Sequence, residues 1–220
     1  MLSYKAEKYC TLSYGINFCR EYGSAINQSD QDITVLTNFT TLFTNKQTIL
    51  YSRSEFSYYE KIILLLRLVK KYKQRVTYFD VDSYNLVNFD YVYDNNSVYT
   101  YKIYDNSKYK NTKRELIEQY PGVLALYDIY NKYGYELCEY PHERIISIPY
   151  SDKINNILEE IQDLQDPFEV SYPKGKVWKD KDLTLFAKNG CGYGEGGALA
   201  AVLHKHNIKL QVFNNENKFL

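Results

Sequence analysis

The sequence predicts an α/β (or α+β) protein. Three observations predict it: strand-like runs rich in Val, Ile, Thr and Tyr, helical stretches with 3.6-residue apolar periodicity, and a strand, glycine loop, helix and strand in succession near the C-terminus. The expected arrangement is a mixed α+β part over residues 1–138, followed by a Rossmann-like parallel βαβ part over 139–220. The 220 residues suffice for one large domain or two small ones, with a real core.

Each element has a local reason. Residues 33–51 read as strands, with Ile33, Val35, Phe39, Leu42, Phe43, Ile49 and Tyr51 interleaved with Thr. Ser57 and Glu60 form a capping box for a helix that carries Ile62, Ile63, Leu65, Leu66 and Val69. Its end near Gln74 holds Lys70, Lys71 and Lys73, which complement the helix dipole. Strands are predicted over Val76–Val81, Leu86–Tyr93 and Val98–Tyr104. The last two flank Asp94-Asn95-Asn96-Ser97, a turn sequence that predicts a β-hairpin. Thr112–Gln119 reads as a helix, and a second one follows Pro121-Gly122 to Lys132.

Beyond residue 140, Arg144–Pro149 is an almost unbroken apolar run, as buried parallel strands tend to be. Ser151 caps a helix with Ile154, Ile157, Leu158, Ile161 and Leu164 on one face. Pro167 is expected to end it, and Phe168–Tyr172 to be a strand. Leu183–Ala187 then reads as a strand, 188–197 as a loop, Ala198–His206 as a helix and Ile208–Phe213 as a strand.

Composition bounds the function. The 27 basic and 27 acidic residues cancel, so no global field steers the chain to nucleic acid or an anionic membrane. The 25 tyrosines, with abundant Lys, Asn and Ile, fit AT-rich codons, and a viral or phage origin is the expectation they raise. The first 30 residues lack the apolar stretch of a secretory signal, and Ile62–Leu66 is too short to span a bilayer. A cytoplasmic location is expected, within an infected host cell if the origin is viral. The sequons at Asn27, Asn38 and Asn95 then carry no glycan, and Cys10, Cys19, Cys138 and Cys191 are read as reduced thiols.

Five of the ten glycines, Gly190, Gly192, Gly194, Gly196 and Gly197, fall within eight residues. A glycine-rich turn between strand and helix lets backbone approach a ligand and aims amide N–H groups and the helix dipole at an anion. A tight structural turn is the alternative. Gly192-x-Gly194-x-x-Gly197 matches the dinucleotide pattern, and Glu216 lies about 20 residues on, where a ribose-binding acid is placed in such folds. The segment GCGYG also resembles the methyltransferase glycine motif, with Lys188 in place of its usual acid. Only 23 residues follow Gly197, fewer than either fold needs after its first loop.

A closer local fit is DLTLFAKNGCGYGEGGALAAVLHKHNIKLQVF. It resembles the closing strand, glycine loop, helix and strand of the nucleoside 2-deoxyribosyltransferase and phosphoribohydrolase-like Rossmann superfamily, over about residues 143–215. The resemblance implies a nucleotide or phosphorylated small molecule as ligand, held by the amides of Gly192–Gly197, and chemistry at N-glycosidic bonds. Glu195 or Glu216 would contact the ribose or serve as acid/base. Glu195 stands at a threonine-like position of the family loop, and Gly197 or Ala198 where the family has its helix glutamate. No cofactor is specified.

Other patterns carry less. Cys191 with His142 has the order of some cysteine peptidases. His204 and His206 are two apart on a helix and diverge, so they form no zinc pair. Asp80 and Asp82 are faintly similar to the aspartate pair of haloacid-dehalogenase phosphotransferases, but Ser83-Tyr84-Asn85 departs from that motif; alternating solvent-facing positions on a strand explain them better. Lys102, Lys108, Lys110, Lys113 and Arg114 mix with Tyr101, Tyr104 and Tyr109, either as a single-strand binding face or as a solvated hairpin face. The second functional reading is a non-enzymatic protein that engages a protein partner through tyrosine-rich surfaces.

Overall fold

The computed structural model describes residues 4–5, 8–52, 59–94, 96–101, 103–104, 140–141, 144–171 and 195–213. It shows a mixed α/β fold built on a seven-stranded sheet. The strands are β1 (Tyr4–Lys5), β2 (Lys8–Ser13), β3 (Ile33–Thr37), β4 (Gln47–Leu50), β5 (Val76–Phe79), β6 (Val92–Tyr93), β7 (Val98–Thr100), β8 (Ile103–Tyr104), β9 (Tyr140–Pro141), β10 (Ile145–Ile148) and β11 (Leu210–Val212). The main helices are α1 (Ile16–Gln28), α2 (Tyr59–Tyr72), α3 (Ile154–Ser171) and α4 (Glu195–Lys205).

The large sheet has the order β4-β3-β2-β5-β10-β7-β11, and strands from both sides of residue 139 share it. β2 pairs in parallel with β3 and β5, and β3 with β4. β10 runs against both its neighbours, β5 and β7, while β11 is parallel to β7. Six strands therefore share a direction and β10 alone is reversed.

Chain connectivity explains the parallel part. β2-α1-β3 is a crossover unit, and α2 carries the chain from β4 back to β5. α2 is apolar almost all round, with Ile62–Leu66, Leu68 and Val69 buried, because it lies between the sheet and α3. α3 adds Ile154, Ile157, Leu158, Ile161 and Leu164, and α4 adds Ala198, Leu199, Ala201, Val202 and Leu203, to the same core. The opposite face of the sheet is covered by α1 and by the segment through the 3-10 turn Val81–Leu86, with Tyr91, Tyr93, Tyr99 and Phe213 packed edge to face.

Several expectations are corrected. The hairpin of 86–93 with 98–104 does not form: β6 pairs with β1, β7 pairs with β10 and β11, and β8 pairs with β9. The Asp94 turn is nonetheless made, its carboxylate accepting the Ser97 N–H at 2.8 Å and the Asn96 N–H at 3.0 Å. Ile145–Ile148 is fully buried, as read, but antiparallel, since an apolar run reports burial on two faces and not direction. α3 continues through Pro167 to Ser171, so 168–171 is helical rather than strand; a proline removes one backbone donor and the helix spans that gap. Val81 lies in the 3-10 turn, not in β5. The expected helices at 112–132, the Leu183–Ala187 strand and the Ser57 cap lie outside the described residues.

Candidate functional site: the carboxyl edge of the sheet

In open α/β sheets, ligands bind outside the carboxyl ends of the strands, where the strand order reverses. Here the chain steps from β2 outward to β3 and β4, then returns to place β5 on the other side of β2. The carboxyl ends of β2 and β5 are that point.

On the β2 side the turn is short. Gly15 has φ 90°, a conformation open to glycine, and its N–H is donated to Asn38 Oδ1 at 3.0 Å. Asn38 follows β3, so this bond ties the first two strand ends together. Beneath it Cys19 is buried, its Sγ 3.3 Å from Thr37 Oγ1 and 3.3 Å from Ser13 Oγ. Tyr14 and Tyr51 meet edge to face above the ends of β2 and β4, with ring centroids 5.1 Å apart.

On the β5 side the chain leaves the strand at Asp80 and turns at once. The Asp80 N–H is donated to the Arg144 carbonyl at 2.8 Å and the Ser83 N–H to the Asp80 carbonyl at 2.7 Å. Tyr78 donates its hydroxyl to Asp80 Oδ1 at 2.8 Å, and the Lys61 ammonium stands 3.9 Å from the same oxygen. The Arg144 guanidinium is 4.0 Å from Asp82 Oδ2, and Ser83 Oγ donates to Asp82 Oδ1 at 3.1 Å. The two carboxylates keep 35% and 39% of their side-chain surface in solvent, whereas Lys61 keeps 7%. Asp80 and Asp82 thus lie past the end of the strand rather than alternating along it.

α4 reaches the same edge. It precedes β11, which runs with β5, and its far end is held at the opposite edge, where Lys153 at the start of α3 donates to the His206 carbonyl at 2.7 Å. Glu195 therefore opens α4 on the carboxyl side, near β9. Glu195, Gly196 and Gly197, expected in a loop, form the first turn of this helix, and Gly196 is buried. Gly190, Gly192, Gly194, Cys191, His142 and Glu216 lie outside the described residues. His206 is engaged structurally, 2.9 Å from Glu160 Oε1, and Lys205 takes Oε2 of the same glutamate at 2.9 Å.

Sequence reading missed the β2–α1 turn, Lys61 and Arg144. A lone glycine after KYCTLSY was the available signal for the turn. Lysine inside an apolar helix run gives none, because it reads as the polar face. Among the described residues no cluster of three or more His, Cys, Asp or Glu could hold a metal ion by itself, and no helix is long and apolar enough to cross a membrane. Neither protein-family models nor curated proteins match the chain.

Proposed function

We propose that the protein binds a nucleoside diphosphate, or a donor built on one, in the crevice between β2 and β5, and transfers the group that the diphosphate carries. The observation that carries this reading is Asp80-Val81-Asp82 turning out of β5 at the reversal point of the strand order. The β2–α1 turn has one glycine, so it lacks the run of backbone amides that cradles a pyrophosphate in dinucleotide folds. Phosphate charge must then be met by other means.

Two half-exposed carboxylates suit a hard divalent cation such as Mg2+ or Mn2+, which binds through one or two carboxylates and completes its shell with substrate phosphates and water. Asp80 and Asp82 would hold it, and it would stabilise the departing diphosphate. The reversed β10 breaks the second half of the sheet as a nucleotide-binding unit, which favours a mononucleotide ligand over a dinucleotide. A glycosyl group is one class of substituent whose transfer leaves a nucleoside diphosphate behind. Glu195, the first residue of α4, would serve an acceptor hydroxyl as base in this reading. The Gly190–Gly197 segment belongs to the same reading as the approach to that helix.

The test is a thermal-shift series with ADP, GDP, UDP and CDP, each with and without MnCl2, on the wild type, Asp82→Asn and Gly194→Val. Ligand at 100 times its Kd stabilises the native state by about 2.7 kcal/mol. A shift that requires Mn2+ and vanishes in Asp82→Asn is expected. A nucleotide shift that survives both removal of Mn2+ and Asp82→Asn would overturn the reading. Loss of the shift in Gly194→Val alone would move the site to the glycine loop.

A further inference from the structure

We propose that Phe18 is the ring on which the base of the nucleotide stacks; the inference rests on the reading of the β2 and β5 ends given above. α1 leaves the carboxyl end of β2, the 3-10 turn Val81–Leu86 leaves that of β5, and the two pack against each other. Phe18 is the third residue of α1, so it lies within the first helical turn beside the strand end. Its side chain is 47% exposed, although the neighbouring Cys19 is fully buried.

A single exposed apolar residue is ordinary on a protein surface. Phe18 differs in having a second ring behind it. Tyr22 follows four residues later on the same face of the helix, its centroid 5.7 Å away and its plane tilted by 41°. Tyr22 is half-buried against the core on this side of the sheet, so Phe18 rests on a fixed support. The side of α1 that carries Gly23 and Asn27 meets the turn after β3: Gly23 lies against Leu42 and Phe43, and Asn27 donates to the Leu42 carbonyl at 2.9 Å. The Tyr22 side looks the other way. Its hydroxyl donates to Glu21 and is raised in pKa by that bond, then by burial and by the charges of Glu21 and Asp82. Asp82 is thus within electrostatic reach of the Phe18–Tyr22 face. A nucleobase needs a flat apolar partner and no directional one, which an aromatic ring beside the phosphate site supplies.

The experiment measures binding of ADP, GDP, UDP and CDP in MgCl2 by calorimetry on the full chain, for the wild type, Phe18→Ala, Phe18→Leu and Phe18→Trp. Phe18→Ala is expected to weaken binding about tenfold or more, the usual worth of one base–aromatic stack. Phe18→Leu keeps apolar bulk without a flat face and is expected to lose nearly as much, whereas Phe18→Trp retains affinity. Trp178 is the chain's one tryptophan, so the emission that Phe18→Trp adds to the wild type reports on position 18. A bound nucleotide is expected to quench that added emission. Unchanged affinity in Phe18→Ala and Phe18→Leu, or nucleotide binding that leaves the added emission unaltered, would overturn the proposal while leaving the site intact. A wild type that binds none of the four diphosphates would overturn the site itself. Circular dichroism checks folding of each variant, and Phe18→Leu carries the affinity test should Phe18→Ala not fold.

Discussion

The guanidinium carbon of Arg75 lies 4.5 Å from the centroid of the Tyr93 ring, and the same buried group stands 5.5 Å from that of Tyr99. It donates to the carbonyls of Asp94 at 2.6 Å, Ser97 at 3.0 Å and Ser147 at 3.2 Å. Arg75 thereby joins the start of β5, the middle of β10 and the turn before β7. Carbonyl dipoles and ring faces hold its charge. Burial draws its pKa down to about 10, which leaves it charged at neutral pH.

Arg75→Met should therefore unfold at lower denaturant. It strands several buried carbonyl oxygens, each costing about 1–3 kcal/mol when unsatisfied, so a total loss of about 3 kcal/mol or more is expected. Lys in its place reaches one of these acceptors and should recover little. Urea titration of the three proteins checks both points, and a stability within 1 kcal/mol of the wild type for Arg75→Met, about the worth of one net hydrogen bond, would contradict the role assigned here.

Two glycines should respond to alanine with opposite signs. Gly15 has φ 90° and ψ 141°, so Gly15→Ala should cost about 1–3 kcal/mol, although nothing lies within 4 Å of the added Cβ. Gly23 is mid-helix in α1, and its Cβ would meet the Leu42 carbonyl at 3.5 Å and Phe43 at 3.7 Å, ordinary contact distances. Gly23→Ala should stabilise by about 0.5–1 kcal/mol. Thermal melts of the two variants decide the matter.

Acid should act through Asp94. Burial opposes its charge, but the N–H groups of Asn96 and Ser97 and the hydroxyls of Tyr99 and Ser97 outweigh burial and hold the carboxyl below its ordinary 3.8. A depressed carboxyl contributes stability that is present above the unfolded value and lost as pH falls through the folded one. The wild type should lose its advantage over Asp94→Asn below about pH 4. Denaturant midpoints at pH 7 and pH 3 test this, and a constant difference between the two proteins would count against it.

Alkali should act through buried phenols. Burial raises Tyr9 and Tyr93 above the usual 10.0, with neighbouring acidic groups adding to it at Tyr9. A raised phenol favours the fold below the unfolded value, and that contribution disappears as pH climbs through the folded one. Part of the tyrosinate absorbance should therefore appear only as the far-ultraviolet dichroism is lost above pH 10. Complete ionisation with the fold intact would be the contrary result.

The parts of the fold legible in the sequence are those with dense local signals. α2 and α3 show in the spacing of Ile62, Leu66 and Val69 and of Ile154, Leu158 and Ile161, and β3 and β10 show as apolar runs. β2 and α1 were not read, because α1 buries only Cys19, Gly23 and Ile26 and leaves Phe18 exposed, a stripe too narrow to stand out. The partners of β7 come from residues 145–148 and 210–212, a pairing that no local turn signal reveals. At the site, Asp80 and Asp82 were visible as residues, but their meaning depends on a strand order that places β5 beside β2. Lys61 comes to stand beside Asp80 and Tyr78 only once α2 is packed on the sheet.

The place of β10 between β5 and β7 has a consequence in time. β2 to β5 are adjacent and are all synthesised by residue 79, whereas β7 is made before the strand that must separate it from them. At about 5–20 residues per second, the ribosome delivers β10 several seconds after β5. Throughout that interval the free edge of β5 has no partner, and β7 has nowhere to dock. A nascent chain caught then offers an open strand edge to whatever meets it first, so the yield of folded protein depends on how quickly residues 80–148 emerge.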